Sequence, residues 1–138
     1  MTVASDRAPR DLTPEILESL IHPTTAEVAS MDAWWRANNY LTVGQIYLQS
    51  EPLAPAKLTF DDIKPRLLGH WGTSPGLAFI YTHVSDLVKK TDQDVVFVTG
   101  PGHGGPALVG ASYLEGSYSE IYPRVSLDEE GMTRLFRQ

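Results

Sequence analysis

A chain of 138 residues, 42% hydrophobic and 20% charged, has room for one modest core. Its formal charge of −6, from 17 acidic and 11 scattered basic residues, excludes a general nucleic-acid surface, which needs clustered Lys and Arg. The lack of cysteine excludes disulfides, thiolate metal sites and thiol nucleophiles, and no apolar run approaches the roughly 18 to 20 residues that cross a membrane.

Residues 1–10 mix both charge signs without the apolar stretch of a signal peptide, so the expected location is the cytoplasm. Prolines and glycines are spread as punctuation and no repeat occurs, which predicts one unit. Thr13 and Pro14 open a short amphipathic helix that closes before Pro23. A second helical pattern runs from Thr25 to about Asn38 and carries Trp34, Trp35 and Arg36, the tryptophans reading as core or interface. From Tyr40 to Gln49 the pattern fits a strand or a continued helix, ending near Pro52.

Thr59 caps the stretch FDDIKPRLL, whose early acids suit a helix start and whose Pro65 would kink it. Ser74-Pro75 begins a stronger helix, with Leu77, Ile80, Tyr81, Val84, Leu87 and Val88 at helical spacing and Lys89 and Lys90 at its C-terminal end. The run DVVFVTG that follows has the continuous apolar, β-branched character of a strand buried on both faces. Pro106 opens a small-residue helix stopped by Gly116. Asp128, Glu129 and Glu130 read as a solvated face. The order helix, strand, glycine loop, helix predicts an α/β fold.

Two loops stand out. Gly100 to Pro106 (GPGHGGP) places His103 between the expected strand and a helix, and Gly69 to Gly76 (GHWGTSPG) places His70 and Thr73 at the mouth of the preceding helix. Glycines there let backbone N–H groups approach a ligand closely. The formal GxGxxG match and Glu120 downstream do not amount to a dinucleotide site, because only 33 residues follow Gly105. Local pattern leaves two readings open for each histidine: an exposed residue in a tight turn, or an imidazole presented to a phosphorylated or polyhydroxylated ligand. His22 and His83 read as structural or solvent-facing.

Taken together, YLTVGQIYLQ, IKPRLLGHWGTSPGLAFIYTH, VTGPGHGGPA and SYLEGSYSEIYP resemble the start of xylulose-5-phosphate/fructose-6-phosphate phosphoketolases. The resemblance covers residues 31–138; residues 1–30 read as a poorly matched N-terminal extension. It implies part of a three-layer α/β/α thiamine-diphosphate-binding domain with parallel strands. It also implies an aldehyde-lyase that uses thiamine diphosphate and magnesium to split a ketose phosphate with inorganic phosphate, giving acetyl phosphate and an aldose phosphate. Carried over by motif, His70 and His103 are the catalytic candidates, and His103 and Thr73 the cofactor contacts. No metal ligand is assigned, since the family's downstream GDG-type segment does not occur here. The expectation is a truncated N-terminal segment, inactive alone, with a homo-oligomer or complementary chain as partner. The competing reading is a non-catalytic binding or assembly module.

Overall fold

The computed structural model describes residues 11–51, 53 and 57–138, so the reading of residues 1–10 and the expected boundary at Pro52 lie outside the described residues. Among the described residues six α-helices follow in order: α1 (Pro14–Ile21), α2 (Thr25–Tyr47), α3 (Ser74–Thr91), α4 (Gly105–Leu114), α5 (Ser117–Ile121) and α6 (Glu129–Phe136). Helices α2, α3 and α4 pack against one another, α6 covers α2, α5 follows α4, and α1 rests on α3.

Local chemistry sets most of the starts. Thr13 accepts a hydrogen bond from the Ile16 amide, and Pro14 follows in the first turn of α1. Thr24 and Glu27 form a reciprocal capping box at α2. That helix continues to Tyr47, which settles residues 40–47 as helix. The stretch after Thr59 makes a single 3₁₀ turn at Phe60–Asp62, because Pro65 lacks the amide a longer helix needs and restricts Lys64 before it. Asp128 accepts from the Gly131 amide at 2.7 Å and starts α6, so the acidic run is a helix N-terminus.

The expected strand is absent. Residues 94–100 have no regular secondary structure, and Val96 and Val98 are 88% and 83% exposed. Among the described residues the one β-pairing is an isolated antiparallel bridge between Leu48 and Ile63. The α/β expectation, with its parallel strands in a three-layer α/β/α domain, is therefore corrected: the described fold is all-helical. A strand exists only against a neighbour that takes up its amides and carbonyls; what this segment meets is a helix side chain, Phe97 packing edge-on against Tyr81 of α3.

The interior is made close by small residues. On α3 the buried positions are Ser74, Ala78, Thr82 and Thr91, while Ile80 and Leu87 of the expected apolar stripe are exposed. The Thr82 and Thr91 hydroxyls bond back to carbonyls one turn earlier, which permits their burial. Gly44 of α2 leaves the space that the Phe136 ring fills, and Gly110 of α4 sits against Asn38, with 2.7 Å between an added Cβ and its Oδ1. Trp34 stacks on Tyr81, Trp35 meets Phe79 edge-on, and the Trp35 indole donates to the Pro75 carbonyl at 2.9 Å. Trp35 thereby ties the first turn of α3 to α2, and Trp34 packs farther along it.

Candidate functional site

The GHWGT and GPGHGG loops lead into α3 and α4, and the helix packing brings their histidines together. The His70 amide donates to the His103 carbonyl at 2.8 Å. The two rings lie 5.4 Å apart, centroid to centroid, at 78°. Thr73 stands between them, its Oγ1 3.1 Å from His70 Nδ1 and 3.0 Å from His103 Nε2.

Polarity follows from one fixed donor. The Thr73 backbone N–H donates to His70 Nδ1 at 3.1 Å, so that nitrogen is an acceptor and a neutral His70 carries its hydrogen on Nε2. The consistent arrangement has His103 Nε2–H donating to Thr73 Oγ1, and the hydroxyl hydrogen directed at His70 Nδ1. His70 Nε2 and His103 Nδ1 then have no protein partner among the described residues. The cluster offers an arriving group one donor and one acceptor, on two exposed rings.

Glycines make this possible at two points. Gly104 is buried against α3; a Cβ there would enter the Leu77 side chain and lie 3.1 Å from Thr73 Cγ2. A Cβ on Gly72 would lie 2.7 Å from His70 Cε1 and push the ring from its place beside Thr73. The starts of α3 and α4 consequently abut, and the helix dipoles lend the cluster partial positive charge.

Further residues hold the site without belonging to it. Buried Ser74 donates its hydroxyl to the His70 carbonyl at 3.0 Å. Asn38 and Gln45 of α2 donate to the Ala107 and Pro106 carbonyls at 3.1 and 3.0 Å, tying the first turn of α4 to the core. Polar side chains set among the buried positions of a helix were the available sign of such a role. Tyr81, farther along α3, donates to Glu115 at 2.9 Å. Burial foremost, and then the carboxylate, push its phenol up to about 12.

Of the basic residues near these motifs, Arg36 pairs with Asp32 at 3.6 Å on the exposed side of α2. Lys64 and Arg66 instead line a cavity of about 430 Å³ beside the start of α4. His22 lies 3.7 Å from Glu18, and the His83 ring packs on Phe79. No described group of three or more His, Asp or Glu side chains could hold a metal ion, and no described helix is long and apolar enough to cross a membrane.

The family model described as the XFP N-terminal domain matches residues 22–138. A probable phosphoketolase of Nitrosospira multiformis is 62% identical over 115 residues, covering 83% of this chain and 14% of the relative. Probable phosphoketolase 2 of Rhizobium meliloti is 63% identical over 108 residues, 78% of this chain and 14% of the relative. A probable phosphoketolase of Pseudomonas putida is 60% identical over 116 residues, 84% and 15% respectively. The chain thus spans about one seventh of the length of the curated relatives it matches.

Proposed function

The chain belongs to the phosphoketolase family, matching its N-terminal domain, and from that premise we propose that it contributes the histidine face of a thiamine-diphosphate-dependent active site. The reaction is cleavage of a ketose phosphate with inorganic phosphate to acetyl phosphate and an aldose phosphate, in the cytoplasm, and the segment is inactive by itself. The observation that carries this reading is the His70–Thr73–His103 cluster, whose two unengaged ring nitrogens offer a donor and an acceptor.

Thiamine diphosphate, when bound, supplies the electron sink for carbon–carbon cleavage. The residues fit an orienting role toward it: His103 would contact it through Nδ1, and Thr73, its hydroxyl taken up by the two imidazoles, would hold those rings in place. His70 Nε2–H is suited to donate to a substrate hydroxyl or carbonyl, and His103 Nδ1 to take a hydroxyl proton. A divalent metal does not fit the described residues, which lack a ligand cluster for one.

The test places His103→Ala in a full-length phosphoketolase carrying this segment. Turnover is expected to fall about 100-fold or more, the scale of a lost acid–base group, while the denaturation midpoint stays near the parent's. Equal losses of activity and stability would reduce His103 to a packing residue.

A second reading, a non-catalytic assembly module joined to a complementary chain or another copy, is favoured by the exposure of Phe60, Val96 and Val98. Under that reading His103→Ala leaves the parent enzyme's turnover unchanged.

A further inference from the structure

The cavity beside α4 has a composition at odds with the rest of the chain. It lies between the C-terminal end of α2, residues 64–68, the start of α4 and the end of α6. Lys64, Arg66 and Arg137 line it, and no Asp or Glu does, in a chain whose formal charge is −6. Leu68, Val109 and Leu135 supply an apolar wall.

Two of the three cations are held by backbone carbonyls. Lys64 Nζ donates to the Gln45 carbonyl at 2.6 Å, and burial lowers its ammonium from the ordinary lysine value with no carboxylate offsetting the loss of water. Arg137 Nε donates to the Gln49 carbonyl at 2.9 Å, which orients the guanidinium and leaves its terminal nitrogens available. Asp62, which feels the charge of Arg137, lies outside the lining and is bonded to Ser50 and to the Thr59 amide and hydroxyl. Arg66 has no hydrogen-bond or ion-pair partner among the described residues. Lys64 is partly buried with no carboxylate beside it, Arg66 and Arg137 stand exposed at the rim, and an anion in the cavity would gain charge-assisted hydrogen bonds from them.

We propose that this cavity binds a small organic phosphate, its phosphate oxygens on Arg66, Arg137 and Lys64 and its apolar body against Leu68, Val109 and Leu135. Its volume of about 430 Å³ falls within the range of small-molecule sites. The proposal stands apart from the histidine cluster and does not depend on the phosphoketolase reading.

The experiment is titration calorimetry of the 138-residue chain with phenyl phosphate, compared with inorganic phosphate. Phenyl phosphate is expected to bind more tightly than inorganic phosphate, and added salt to weaken both. Arg66→Gln is expected to weaken phenyl phosphate binding about tenfold, the loss of one charge-assisted contact, with an unchanged circular dichroism spectrum. His103→Ala is expected to leave it within about twofold. Absence of binding, or binding that survives Arg66→Gln, overturns the site. Binding lost in His103→Ala and retained in Arg66→Gln assigns the anion to the histidine cluster and overturns it equally.

Discussion

Two stretches that flank one another in sequence have opposite fates. Residues 101–105 are locked onto α3 by a main-chain bond, a shared threonine and a buried glycine. Residues 94–100, immediately before, extend with Val96 and Val98 facing outward. The first is rich in glycine and would be taken for a loop; the second is rich in valine and would be taken for core. Burial here follows from whether a partner surface is present, and apolar character alone does not supply one.

That contrast can be broken most severely at Gly104. In Gly104→Ala the new methyl must displace Leu77 and crowd Thr73, so a destabilisation of about 1–3 kcal/mol is expected by urea denaturation, with loss of the His103–Thr73 bond in imidazole NMR spectra. Equal stability of variant and parent would mean that α3 and α4 do not abut as described.

A smaller effect, dependent on pH, is expected at the other anchored end. The Thr24 amide foremost, then its hydroxyl and Lys90, hold the Glu27 carboxyl down at about 2. Because the folded value lies below the ordinary 4.5, the stabilisation is present above that value and is lost as pH falls through about 2. The melting-temperature gap between the parent and Glu27→Gln should therefore be constant above about pH 5.5 and close toward pH 2. A gap unchanged at low pH would remove the carboxylate from the cap.

The least effect is expected for Val98→Thr, within about 0.5 kcal/mol in the isolated chain, since the side chain is 83% exposed. A loss above about 1 kcal/mol would show that the segment is buried in solution.

The same contrast explains what the sequence disclosed. Proline and hydroxyl signals at Thr13-Pro14, Ser74-Pro75 and Pro106 identify helix starts because they act within one turn. The start of α6 carried a comparable signal in Asp128 followed by two acids, and reading them as a solvated face passed over the cap. The motif residues His70, Thr73 and His103 were legible one by one, whereas their meeting depends on α3 packing against α4. The buried line of α3 escaped hydropathy because Ser74 and Thr82 satisfy their hydroxyls on carbonyls four residues back. Residues 94–100 misled because an apolar run reports only that burial would be favourable.

The bond from the His70 amide to the His103 carbonyl also closes a loop of about 33 residues, at an entropic cost on the order of 3 kcal/mol. One hydrogen bond does not repay that; the contact between α3 and α4 does. The two imidazoles are therefore neighbours only while that helix pair is docked, and a small splaying of α3 from α4 would part them while leaving every helix intact.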